Sequence, residues 1–365
     1  MATNREEQFP APVQAPPDPP TIHPSFIQVP HPYICEQTIQ ASLLTLGVDT
    51  SKEQILLHGV HWIDMLRREL QLPYKTFCTA AMYYHLFRLN YTDSENNFLD
   101  AVSAALFTAC KVEDTLKKSR DIACAVHNLK LPQKAHLQPD DPELETKSRN
   151  IIGLERLMLE ASAFDFRSRH PQVILMTLAK CVYKLDPEVT RMAYRISLDL
   201  FRTYAPHKQS TASLALSCLE LAYLLMDKPK DGIVWGNIYH DCQTNRQNIL
   251  ETIFDLLELY THHRPLTDVG NQFPPERFLT VRIPLNAEAV AGNIPRHAWS
   301  IRKPKDLVKP MEHPLTAVAA NGDRYKQDGG PNAAVRYMLD FYSAQTEQET
   351  VSNYFKDLEE YWSEG

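Results

Sequence analysis

Four side chains stand out for what their types and spacing could do together: Phe107, Lys111, Glu113 and Glu155. The first three close an apolar stretch, residues 104–114, that ends in one lysine and two acids. A cation suits that place, because the backbone dipole favours positive charge at a helix C-terminus. Glu155 follows some forty residues later, one position off the apolar stripe of its own segment. Phe107 sits at the same helix end and suits either a partner contact or core filling. Two unrelated solvated helix faces would show the same pattern, and spacing alone leaves that reading open.

Catalytic machinery is hard to assemble from the rest. The chain has 11 glycines, none in a G-x-G-x-x-G or Walker arrangement, so no loop is built to cradle a nucleotide phosphate. It has no H-E-x-x-H and no G-x-S-x-G. His58 and His61 share a helix face and His262 adjoins His263, but neither pair has Cys or carboxylate ligands at matching spacing. The seven cysteines include no C-x-x-C pair and several lie in apolar surroundings, which reads as buried free thiols in a reducing compartment. Neither cofactor nor metal is expected.

The elements that must position the four residues read as helices. The 365 residues leave room for two domains with tails, and a formal charge of −7 does not suit a chain whose whole surface grips a polyanion. No signal-peptide core and no run of 18 apolar residues occurs, so no membrane span is expected. Residues 1–32, rich in proline, read as a flexible arm. Five helices are expected over about 50–70, 73–89, 97–112, 119–129 and 144–164, then five more over about 171–183, 187–204, 211–226, 233–239 and 244–260. Phe98, Val102, Ala105, Ala109 and Val112 step by four and three, as a buried helical face requires. Proline and glycine break the pattern over 264–332, read as an irregular linker. Residues 333–362 regain helical character with Tyr337, Phe341, Tyr354, Phe355, Tyr361 and Trp362, an aromatic helix that should dock on the body or a partner. The stretch Arg302-Lys303-Pro304-Lys305 reads as a nuclear import signal or a solvated charge run.

Phe107 to Asp114, with Lys117 and Lys118 behind, resembles the third-helix signature of the cyclin box in transcriptional cyclins. Leu154 to Phe166, followed by His170 and Pro171, is similar to the fifth helix and interlobe linker of the cyclin T and K group, and Ala80 to Phe87 fits the second helix. The resemblance covers about residues 50–260 and is nearest to the beta subunits of fungal RNA polymerase II C-terminal-domain kinases. It implies an all-α fold of two tandem five-helix cyclin boxes, 50–165 and 168–262. It also implies a nuclear, non-catalytic subunit that activates a cyclin-dependent kinase, with room for a third subunit. In cyclins the residues matching Lys111 and Glu155 pair on the kinase-facing surface, with the one matching Glu113 beside them.

Two departures narrow the expectation. Cell-cycle cyclins carry a Met-Arg-Ala-Ile-Leu docking patch where this chain reads His58-Gly59-Val60-His61-Trp62, and they place an acid where His85 stands. A promoter-binding factor of the TFIIB kind would share the fold, but such proteins have basic faces and an N-terminal zinc ribbon, and residues 1–34 here hold no cysteine. A helical scaffold without a kinase remains the other alternative.

Overall fold

The computed structural model describes residues 33–45, 50–91, 97–167, 169–182, 185–228 and 235–294, with the side chains of 44–56 and 133 left aside. Every regular element among them is helical, as the resemblance implied. The first half of the chain forms α1 (Glu36–Thr45), α2 (Thr50–Glu69), α3 (Tyr74–Asn90), α4 (Phe98–Val112), α5 (Ser119–Asn128) and α6 (Glu145–Ala161). The second half forms α7 (Pro171–Thr177), α8 (Pro187–Asp199), α9 (Ala205–Lys208), α10 (Thr211–Met226), α11 (Trp235–Asp241), α12 (Arg246–His262) and α13 (Pro275–Ala291).

One helix sits at the centre of each half, for the same reason. In α4 every residue from Ala101 to Cys110 is buried, and in α10 every residue from Ser213 to Tyr223 is. A helix apolar or small on all sides has no solvent face and becomes the axis around which others pack. Around α4 lie α2, α3, α5 and α6; around α10 lie α7, α8, α12 and α13. Both start at a side-chain cap. The Asn97 carbonyl accepts from the Leu99 amide, and the Ser210 hydroxyl accepts from the Ser213 amide.

Three elements differ from the sequence expectation. The segment 36–45, unassigned in the sequence, is α1. The helix expected over 187–204 stops at Asp199, passes through a 3-10 turn at Leu200–Arg202 and resumes as α9. The stretch read as an irregular linker from 264 contains α13. Pro284 lies inside that helix, yet Phe278, Val281 and Leu285 are buried on the second core, and the Phe278 ring stacks 5.1 Å from Tyr260. Burial of one face outweighs the lost backbone bond. The arm over 1–32, the remainder of the linker from 295 to 332 and the aromatic helix over 333–362 fall outside the described residues.

The halves are joined by buried polar contacts. The Asp199 carboxylate accepts from the amides of Asp268 and Val269, at 2.8 and 2.9 Å, and lies 3.2 Å from Arg202. Arg202 also reaches Asp64 of α2 at 3.8 Å. From α3, His85 Nε2 donates to the Phe201 carbonyl at 2.9 Å.

Candidate functional site

The local chain builds the site from the end of α4 and the middle of α6. After Val112, Asp114 adopts φ 55°, and the Thr115 amide donates to the Cys110 carbonyl at 2.8 Å. After Ala161, Ala163 and Phe164 adopt φ 51° and 56°, and the Phe164 amide donates to the Leu159 carbonyl at 2.9 Å. Both are Schellman turns, which satisfy the last carbonyls with a left-handed residue. They end α4 one residue past Lys111, whereas α6 runs on six residues past Glu155, so the end of α4 meets the middle of α6.

Four residues then meet in register. Phe107 and Lys111 lie one turn apart on α4; Ile151 and Glu155 lie one turn apart on α6. The Phe107 ring packs in a small cluster with Ile151, Ile122 and Ala123 and is 7% exposed. One turn on, Lys111 Nζ donates to both Glu155 oxygens at 2.7 and 2.8 Å. The same ammonium stands 4.3 Å from the centre of the Phe107 ring, in cation–π range. The lysine is therefore held from two sides while 47% of its side chain faces solvent; Glu155 keeps only 16%.

Glu113 goes elsewhere. It caps α4 and turns inward, accepting from the Thr79 hydroxyl at 2.5 Å and lying 3.2 Å from His170 Nε2. Lys75 Nζ donates to the Glu113 carbonyl oxygen at 2.7 Å. These contacts tie the end of α4 to α3 and to the segment between the halves. The structure thus brings together Phe107, Lys111 and Glu155, and turns Glu113 away toward Thr79 and His170.

Apolar side chains that sequence reasoning gave no role border the cluster along the chain. Ile152, next to Glu155's turn, is 52% exposed, and Leu116, just past the α4 turn, is 71% exposed. Phe164 and Phe166 follow α6 at 48% and 53%. The signal for Leu116, Phe164 and Phe166 was their place: large apolar residues just past a helix stop, where no core-facing period requires them.

All seven cysteines are free; Cys78, Cys110, Cys124 and Cys218 are buried, whereas Cys181 is exposed. Burial pushes the Cys110 thiol up to about 11, so this thiol stays protonated near neutrality. Among the described residues no three His, Cys, Asp or Glu side chains converge to hold a metal ion.

Comparison with known proteins bears on this geometry. Residues 36–167 match the family described as Cyclin, N-terminal domain. Over 260 residues the chain is 31% identical to the CTD kinase subunit beta of Schizosaccharomyces pombe, covering 70% of this chain and 75% of that one. It is 26% identical to the CTD kinase subunit beta of Saccharomyces cerevisiae, covering 73% and 83%. The fold is similar to a chain in the crystal structure of the yeast RNA Pol II CTD kinase CTDK-1 complex. There the TM-score is 0.61 at 20% identity, with 87% of this chain and 97% of that one covered.

Proposed function

The chain belongs to the cyclin family, and from that premise we propose that it is the regulatory subunit of a cyclin-dependent kinase that phosphorylates the RNA polymerase II C-terminal domain. The observation that carries the proposal is the clasp of Lys111, Glu155 and Phe107, with exposed apolar side chains near it in sequence, on a chain alike to CTD kinase beta subunits over most of its length. On this reading the chain contributes no atom to phosphoryl transfer. An active kinase needs its C-helix glutamate paired with the ATP-binding lysine and an ordered activation loop. A partner that binds only the inward position of that helix shifts the population toward the active state.

The clasp suits such a task. Its ammonium is already neutralised by two bonds to Glu155, so covering it leaves no lone buried charge. The remaining donor capacity of Lys111 can meet backbone carbonyls at the end of the partner's helix. Ile152, Leu116, Phe164 and Phe166 would supply the apolar area. Glu113, through Thr79 and His170, holds the end of α4 in place. A nuclear place of work and a third subunit in the assembly belong to the same proposal.

The test is affinity purification of the tagged chain with mass spectrometry, followed by a kinase assay on a heptad-repeat peptide. We expect a protein kinase to co-purify and to phosphorylate the peptide. Recovery of the chain with no kinase would contradict the proposal.

A further inference from the structure

The second half carries a groove that no element of the described chain fills. It lies between α7, with the π-helical turn that follows it (Leu178–Val182), and the start of α8. Its volume is about 430 Å³; Met176, Leu185, Pro187 and Tyr194 line it, with Lys180 and Arg191 among them. Both cations are exposed, and neither makes an ion pair among the described residues. Val173 and Val182, on the adjoining turns, are 69% and 55% exposed. An apolar trough bearing two uncommitted cations is shaped for an occupant with an apolar stripe and flanking carboxylates.

We propose that this occupant is residues 347–364 of the same chain. Val351, Tyr354, Phe355, Leu358, Tyr361 and Trp362 recur at steps of three and four, the spacing that a helix gathers onto one face. The same stretch carries Glu347, Glu349, Asp357, Glu359, Glu360 and Glu364 against the single cation Lys356. Stripe and charge both complement the groove. Reach is no obstacle. The described chain ends at Ile294, behind α13, and α13 packs on α10, as do α7 and α8. The 52 residues between Ile294 and Glu347 can extend by roughly 3.3 Å each, far more than is needed to cross one small lobe. The docked segment would rest on the half of the molecule that lacks the clasp, and the inference is independent of which partner the clasp grips.

The experiment is amide hydrogen exchange, followed by mass spectrometry, on the full-length chain alone at low micromolar concentration. Amides of residues 351–362 are expected to exchange at least tenfold more slowly than in a peptide of the same sequence. The double substitution Lys180→Glu with Arg191→Glu, both on the surface, should abolish that protection. Adding Glu359→Lys and Glu360→Lys should restore it, which a merely unfolded double variant could not do. Absence of protection in the full chain overturns the inference. So does protection unaffected by the charge reversals, or protection that appears only as the chain dimerises or when a kinase is added.

Discussion

An ammonium with 47% of its side chain in water adds little to the stability of the fold it stands on. Exposed pairs of this kind contribute about 0–1 kcal/mol, so the fold has little need of Lys111, which accords with the partner contact proposed for it. The histidines tell the opposite story. His85 and His207 are both buried between the halves, with ring centres 5.9 Å apart, and Tyr204 stacks 4.9 Å from His85. Burial pushes the His85 imidazole down to about 4, against a smaller upward effect of its bond to the Phe201 carbonyl. Burial likewise holds His207 well below its ordinary value, with His85 and Arg169 adding repulsion. A neutral histidine in the folded chain that ionises readily when unfolded makes the unfolded state the greater proton binder below pH 6.5. Stability is therefore full above pH 6.5 and falls as pH drops toward 4, by roughly 3 kcal/mol for His85, at about 1.4 kcal/mol per unit. Urea unfolding followed from pH 7 to pH 4.5 should show this loss, and a His85→Gln variant should show a shallower one.

At the scale of the element, the two Schellman turns pay for position with strain. A left-handed alanine costs about 1–2 kcal/mol, of which glycine would recover part after its own entropy loss. Ala163→Gly is expected to raise stability by about 0.5–1 kcal/mol, read as a higher urea midpoint without a change in slope. The short α1 depends on a different device. Its Glu36 meets Lys208 of α9 at 2.6 Å, and Asp255 of α12 meets the same ammonium at 2.7 Å, with Lys208 only 3% exposed. Glu36→Ala should cost about 1–3 kcal/mol, less than the loss of a sole counterion because Asp255 remains, and should speed amide exchange through residues 36–45. Legibility follows from the same contrast. The central helices α4 and α10 announce themselves in sequence because each is apolar all round. The helix α1 does not, because what anchors it lies 172 residues away. Nor does α13, because prolines 275 and 284 look like breaks until Phe278 and Val281 are seen to be buried. At the site, a charge pair across two helices was legible only through the family resemblance. The inward turn of Glu113 was not legible at all, since Thr79 and His170 are its neighbours only in the folded chain.

Across the whole molecule the two halves share cores. Leu57 of α2 packs into the second cluster, while Leu198 and Phe201 pack into the first. The clasp rests on one half and the groove on the other, with the buried polar contacts of Asp199, Arg202 and His85 between them. A body so joined can hold a mobile partner element at a fixed angle, which is what switching on a kinase by selection of one state requires. The most direct measurement is a titration of the partner kinase's activity on a heptad-repeat peptide with wild-type chain and with Lys111→Glu. A folded variant is expected, matched in thermal stability to within about 1 kcal/mol, that needs at least tenfold more protein for half-maximal activation. An unchanged titration curve from a folded Lys111→Glu chain would contradict the role proposed for the clasp.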